Sequence, residues 1–202
     1  MKKLLKRIGI CLVLAASVWC GSLLADRQRL NDELIRFHVV ANSDSEEDQS
    51  IKLQVRDAVL NSLQSDLNKI ADVNEARAYL QAKLPQIQAV ANSVLEATGC
   101  DCEAVVTLCK EAFDTRYYDT FTLPAGIYEA LRITIGEGEG HNWWCVVFPP
   151  LCTAASSGVA QTAMAAGLTE DQVGLITEES EGYVLKFKAV ELWEDLRARF
   201  AD

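Results

Sequence analysis

The hydrophobic period of the chain changes once, near Cys102, from the period of a helix to that of a strand. Before this point, two long stretches repeat apolar residues mainly every four positions, as Ile51, Val55 and Val59 do, which is typical of amphipathic helices. After it, short apolar runs are separated by Gly and Pro, which is typical of strands and turns. Because helices and strands are segregated along the chain, we expect an α+β protein.

One further strand is expected before the helices. Residues 34–41 alternate, with Ile35, Phe37 and Val39 on one face and Arg36 and His38 on the other. This pattern predicts a half-buried strand whose two polar side chains face solvent.

Capping residues define the two helices. Ser43 with Glu46, or Ser45 with Asp48, is expected to form a capping box that begins the first helix. Gly99 is well placed to end the second, and Pro85 is expected to kink or interrupt it.

The remaining elements complete a two-layer α+β fold. This fold has one strand, two long helices, an antiparallel or mixed sheet of about five strands, and a C-terminal helix. Residues 153–168 are expected to be a loop or a weak helix, and residues 168–175 a short helix. The expected strands cover residues 102–109, 116–123, 129–135, 143–148 and 183–188, and the final helix covers residues 190–200.

The first 25 residues have the pattern of a targeting segment. Four basic residues, Lys2, Lys3, Lys6 and Arg7, precede 18 uncharged residues, which is the order found in secretory signals. The segment is also long enough to be an uncleaved N-terminal anchor, and a buried helix of a cytosolic protein is the third alternative. Under the first two alternatives, residues 26–202 form a single extracytoplasmic domain.

The charge of that domain argues against nucleic acid as a partner. The whole chain has 19 basic and 29 acidic residues, a net charge of −10, and without the four basic residues of the leader the charge is −14. A phosphate backbone requires a clustered basic face. An acidic domain is also repelled by anionic lipid.

Five cysteines remain outside the leader, in a space that permits disulfide bonds. Cys145 and Cys152 flank a Pro-Pro bend, and a bond between them is plausible. Because five is an odd number, one thiol stays free or pairs elsewhere.

The sequence contains no recognisable catalytic set or cofactor motif. Ser43, His38 and Asp44 lack the geometry of a serine triad. The spacing of His141, Cys145 and Cys152 does not match known zinc patterns. The glycines at 136, 138 and 140 alternate with glutamates and precede no helix, so a turn is expected there rather than a phosphate loop. We therefore expect no catalytic residue, metal or cofactor.

Trp143 and Trp144 are adjacent in an expected strand, so their side chains should point to opposite faces of the sheet. One or both could belong to the core. Alternatively, the exposed one could serve a partner surface, where Trp is enriched.

Several segments of the chain resemble the stage II sporulation protein R family of endospore-forming bacteria. The resemblance is carried by the Leu-Ile-Arg-Phe-His-Val-Val-Ala-Asn-Ser-Asp-Ser string, the Leu-Pro-Ala-Gly-Ile-Tyr segment and the Asn-Trp-Trp-Cys to Pro-Pro-Leu-Cys string, at residues 34–45, 123–128 and 142–152. It covers nearly all of residues 30–200.

The resemblance implies a signalling protein, not an enzyme. Such a protein is made in the forespore and exported into the space between the forespore and mother-cell membranes. There it activates a membrane-embedded aspartic protease of the mother cell, which processes the precursor of sigma factor E. The expected partner surface comprises Arg36, His38, Asn42, Asp44, Trp143 and Trp144.

Two other functions are compatible with the residues. One is an envelope hydrolase that uses His38 or His141 with a carboxylate or a metal. The other is a purely structural envelope component.

Overall fold

The computed structural model describes residues 2–152 and 158–177. The expected strand at 183–188 and the final helix at 190–200 lie outside these residues. The described helices are α1 Lys2–Asp32, α2 Glu46–Leu67, α3 Val73–Thr98, α4 Val159–Ala165 and α5 Glu170–Ile176. The strands are β1 Ile35–Val40, β2 Ala104–Phe113, β3 Arg116–Tyr117, β4 Thr122–Leu123, β5 Gly126–Ile135 and β6 Asn142–Phe148.

The main sheet has four strands in the order β2-β5-β1-β6. Strand β1 runs parallel to β5, whereas the β1–β6 and β2–β5 pairs are antiparallel. The sheet is therefore mixed, and the expected α+β class is confirmed.

The strand expected at residues 116–123 is wrong. This segment turns back on itself, because the backbone N–H of Tyr118 donates to the carbonyl of Phe121 and their rings stack 4.4 Å apart. The result is a separate two-stranded hairpin of β3 and β4.

Helix α2 begins where the capping pattern predicts. The Oγ atom of Ser45 accepts a hydrogen bond from the N–H of Asp48, and three acidic residues occupy the first turn, where the helix dipole favours negative charge. The expected apolar stripe is buried: Ile51, Val55, Val59, Leu63 and Leu67.

Helix α3 starts at a cap by Asp72 and ends at Gly99, whose φ of 74° is the left-handed conformation expected of a C-terminal glycine. The helix is not interrupted at Pro85. Both Pro85 and Gln81 are exposed, so water can satisfy the Gln81 carbonyl that loses its helical partner.

The sheet has a core on each face. On the helix-covered face, Ile35, Phe37 and Val39 pack with the stripes of α2 and α3. The opposite face, which we call the second face, is covered in part by the end of α1, the β3–β4 hairpin, α4 and α5. Leu34 and Tyr128 are buried beneath these elements. All six residues of β1 are consequently buried, and the expected half-exposed strand is wrong.

Helix α1 continues through the boundary predicted after Ala25. Among its side chains that the structure describes, those of Leu30 and Asn31 are buried in the domain. No helix among the described residues is long and apolar enough to cross a membrane. The targeting segment stays a prediction.

Candidate functional site

Three ionisable side chains from three strands meet on the second face of the sheet. The Nδ1 atom of His38 lies 2.9 Å from Oε2 of Glu111, and Nη1 of Arg132 donates to Oε1 of the same carboxylate over 2.7 Å. His38 is only 8% exposed, whereas 39% of the Arg132 side chain is accessible. The network therefore connects the buried His38 with Arg132 at the protein surface.

The carboxylate at the centre of this network is held in its charged form. Burial by itself would raise the pKa of Glu111, but the hydrogen bonds from Arg132 and His38 outweigh it. The pKa of Glu111 consequently lies below its ordinary value.

Aromatic and amide side chains complete the group. The Trp144 ring stacks on His38 with a centroid separation of 5.7 Å, and the guanidinium of Arg116 lies 3.7 Å above the Trp144 ring. The Nε2 atom of His38 lies 3.0 Å from Oδ1 of Asn142. We call His38, Glu111, Arg132, Asn142, Trp144 and Arg116 the second-face cluster.

Arg36 lies below this cluster and is completely buried. Its Nε donates to the carbonyl of Cys145 and its Nη2 to the hydroxyl of Tyr118, while the guanidinium lies 4.4 Å from the centroid of the Phe113 ring. Burial lowers the pKa of Arg36, and Nη1 has no acceptor among the described residues. The expectation that Arg36 faces solvent is wrong, because the second core covers the side chain.

Asn42 and Asp44 join the turn before α2 to the loop that connects β5 with β6. The side chain of Asn42 accepts from the N–H of Glu137 and donates to Asp48. Asp44 accepts from the backbone N–H of His141 over 2.6 Å and contacts its ring. These two bonds from His141 lower the pKa of the exposed Asp44. Asn42 and Asp44 therefore have a structural role in joining two loops.

The glycines of the 136–140 turn allow this junction to close. Gly136 has a φ of 54°, and a Cβ atom there would lie 2.2 Å from Oδ1 of Asn42. A Cβ atom on Gly140 would lie 2.2 Å from the backbone oxygen of Ser43. Close packing against the neighbouring turn explains these glycines.

Trp143 and Trp144 point to opposite faces, as strand geometry requires, and both are half-buried. On the helix-covered face, Trp143 contacts the Phe37 ring edge-on, and the guanidinium of Arg56 lies 4.9 Å from its centroid. Each tryptophan thus packs against a core and also contacts an arginine: Arg56 for Trp143 and Arg116 for Trp144.

The structure joins Cys145 to Cys152 and Cys100 to Cys102 by disulfide bonds, and Cys109 is a free thiol. The first bond removes both sulfurs of the zinc site weighed above. No group of three or more His, Cys, Asp or Glu side chains able to hold a metal occurs among the described residues.

Neither histidine has a Ser, Thr or Cys side chain within hydrogen-bond distance among the described residues. Both ring nitrogens of His38 already face oxygen atoms, those of Glu111 and Asn142. His141 is exposed and contacts the carboxylate of Asp44. Both histidines thus meet a carboxylate, yet their observed contacts connect strands and loops.

Glu111, Arg132 and Arg116 were missed from the sequence. The selection of Arg132 requires the register of β1 and β5, which places it level with His38, and that of Glu111 requires the register of β2 and β5. The selection of Arg116 requires the separate β3–β4 hairpin. The available signal was weak: Arg116 and Arg132 are charged residues within expected strands, and Glu111 lies beyond the expected end of its strand at residue 109.

The fold and this cluster define an α+β domain with a mixed sheet that is packed on both faces, and ionisable and aromatic side chains collect on the second face. The chain belongs to the stage II sporulation protein R family, whose sequence model matches residues 31–158.

One curated relative is "Stage II sporulation protein R" of Bacillus subtilis (strain 168), which is 44% identical over 121 residues. The match covers 60% of this chain and 54% of the relative, so the chain spans about half the length of the curated protein that it matches. No solved structure matches the chain.

Proposed function

We propose that this chain is an exported sporulation signal that activates a membrane-embedded aspartic protease of the mother cell, which then processes the sigma factor E precursor. The observation that carries the proposal is family membership over residues 31–158. The basic and then apolar N-terminal segment supports export, because it has the order of a secretory signal.

An activator acts by binding one state of its receptor better than another, and this requires an accessible contact surface. Of the six residues expected from the sequence, Arg36 is completely buried and His38 nearly so. Asn42 and Asp44 join two loops. Trp144 remains the best-supported contact of the set, because it is half-buried and the guanidinium of Arg116, itself half-buried, lies 3.7 Å from its ring centroid.

The charge of this face suits an acidic receptor segment. Four basic side chains lie there, and Glu111 pairs with two of them, His38 and Arg132. Neither Arg36 nor Arg116 has a carboxylate within 4 Å among the described residues. Within the second-face cluster, the two arginines Arg116 and Arg132 outnumber the one carboxylate, Glu111, and this local excess of positive charge favours association with negative charge.

Co-expression of the full chain with the protease and its sigma precursor in a non-sporulating host tests the activity. The expected result is precursor cleavage that depends on this chain and on the catalytic aspartate of the protease. Absence of cleavage with a folded, exported chain would overturn the activator function and favour a structural envelope component.

Two charge reversals test the surface. Arg116→Glu changes the cation above Trp144 and should reduce processing at least about tenfold, since it replaces attraction with repulsion. Lys69→Glu is the matched control, because the side chain of Lys69 is 71% exposed at the end of α2. Equal processing by both variants, with circular dichroism unchanged, would remove the second-face cluster from the receptor surface.

A further inference from the structure

Strand β2 forms one edge of the main sheet, and helix α3 protects only its first part. The N–H of Ala104 donates to Oδ1 of Asn92 over 2.8 Å, and the N–H of Val106 donates to Oε1 of Gln88 over 3.4 Å. Both N–H groups therefore point away from β5 and are occupied by side chains of the helix.

The alternation of an antiparallel strand fixes the direction of the next groups. Leu108, Lys110 and Ala112 stand at the same parity as Ala104 and Val106, so their N–H and C=O groups also point away from β5. No hydrogen-bond partner for these outward groups occurs in residues 2–152 or 158–177. Within residues 2–152 and 158–177, the second half of β2 is therefore an open sheet edge.

The path of α3 explains where its protection stops. The helix lies beside the edge at Gln88 and Asn92, but one end of it contacts β5, because Arg77 in its second turn pairs with Glu129. Glu129 is the cross-strand neighbour of Lys110. The helix therefore crosses from the sheet edge toward the next strand and leaves residues 108–112 uncovered.

Lys110 disfavours pairing of this edge with a second copy of the chain. An antiparallel pair of two such edges centred on Lys110 would place two ammonium groups opposite each other, and like charges in that position are destabilising. An exposed lysine is a common guard against edge-to-edge association. The same side chain favours a different strand that carries a carboxylate.

We propose that residues 108–112 of β2 bind an extended segment of a partner protein as a fifth strand of the sheet, with an acidic side chain opposite Lys110 and apolar side chains beside it. Backbone hydrogen bonds would supply affinity, and alternate side chains would supply specificity. Ile127, the cross-strand neighbour of Ala112, is 60% exposed and offers apolar contact on the same face. The proposal is independent of the function proposed above.

The test measures amide hydrogen exchange by NMR on the full chain, with the peptide Thr-Val-Thr-Glu-Thr-Val-Thr as the probe. In the free protein, the amides of Leu108, Lys110 and Ala112 should exchange quickly, while those of Cys109 and Glu111, which face β5, stay protected. Saturating Glu peptide should slow exchange of the first three amides at least about tenfold. A matched peptide with Lys at the centre should bind roughly fivefold more weakly.

Two variants separate backbone pairing from charge. Ala112→Pro removes an outward N–H without removing a β2–β5 hydrogen bond, and should abolish peptide binding with the fold intact. Lys110→Glu should reverse the preference between the two peptides. If Ala112→Pro does not fold, the reversal by Lys110→Glu alone decides between a paired edge and nonspecific binding.

Three results would overturn the proposal. The first is protection of all three outward amides in the free chain, which would mean that the edge is already occupied. If this protection falls on dilution, the occupant is a second copy; if it does not, the occupant is the chain itself. The second is failure of both peptides to bind at about 5 mM, and the third is equal binding of both.

Discussion

His38 on β1 and Glu111 on β2 contact each other although β5 lies between their strands. The register places His38 level with Arg132 and Glu111 level with Tyr128 on β5. Ala130, which lies between these two positions, has a side chain small enough for the contact to pass over the strand. The second-face cluster therefore depends on a small residue at one position of the intervening strand.

Removal of the Glu111 charge should weaken the fold in a pH-dependent way. Glu111→Gln should lower the free energy of unfolding at pH 7 by about 1.5–3 kcal/mol, because His38 and Arg132 lose a charged acceptor. Urea denaturation measures this difference. Glu139→Gln, at an exposed position of the 136–140 turn, is the control and should change stability by less than about 0.5 kcal/mol.

The sign of the pH effect follows from the lowered pKa of Glu111. A carboxylate whose folded pKa lies below its ordinary value of 4.5 stabilises the protein above that pH, and the stabilisation is lost as pH falls through the folded pKa. The difference in unfolding free energy between the parent protein and Glu111→Gln should thus become smaller as the pH drops from 5 to about 3. A constant gap would show that Glu111 contributes through shape and not through charge.

Loss of the bond between Cys145 and Cys152 should destabilise the end of β6. The bond closes a loop with a sequence separation of seven, and the chain-entropy relation assigns such a loop about 2–3 kcal/mol. We expect that loss of unfolding free energy for the double variant Cys145→Ser with Cys152→Ser. Cys109→Ser, which removes the half-buried free thiol, is the control.

Alkylation followed by mass spectrometry checks the pairing directly. Without reductant, Cys109 should be labelled while Cys100, Cys102, Cys145 and Cys152 should not. Labelling of Cys145 and Cys152 in the oxidised protein would contradict the assigned bond.

Local patterns predicted the helices well, because their determinants are close in sequence. The stripe from Ile51 to Leu67 and the caps at Ser45 and Gly99 each depend on residues within one or two turns. Asn42 and Asp44, beside the cap of α2, were also singled out from the sequence. Their main contacts could not be predicted locally, because Glu137 and His141 are about 95 residues away.

The burial of β1 on both faces could not be predicted from local patterns. Alternating polar residues indicate a solvent-facing side only when nothing covers that side. Here the covering elements come from distant parts of the chain, and the polar groups of Arg36 and His38 find partners at Cys145 and Glu111. A buried polar side chain with a nonlocal partner has the same local pattern as an exposed one.

The contact between the 136–140 turn and the turn before α2 should not tolerate a larger residue. Gly140→Ala would place Cβ 2.2 Å from the carbonyl oxygen of Ser43, and the backbone would have to move, at a cost of about 1–3 kcal/mol. Thermal unfolding measures this loss. Gly174→Ala is the control, since a Cβ atom there meets no atom of residues 2–152 or 158–177 within 4 Å, and a helical alanine should stabilise the chain slightly. Equal stability of the two variants would contradict the close approach.

The buried guanidinium of Arg36 should respond differently to loss of its charge and to loss of its shape. Arg36→Met removes the buried charge and fills part of the space, whereas Arg36→Lys keeps a charge that cannot bond Tyr118 and the Cys145 carbonyl at once. We expect the Lys variant to be less stable than the Met variant by at least about 1 kcal/mol at pH 7, because an uncompensated buried charge is costly.

Raising the pH distinguishes this explanation from simple misfit. Burial lowers the pKa of a lysine in the folded state, so the folded Lys variant binds fewer protons than the unfolded chain and its stability rises with pH. Urea denaturation should show that the difference in unfolding free energy between the Lys and Met variants becomes smaller between pH 7 and about pH 9.5. A gap that stays constant over this range would mean that packing, and not the buried charge, determines what position 36 accepts.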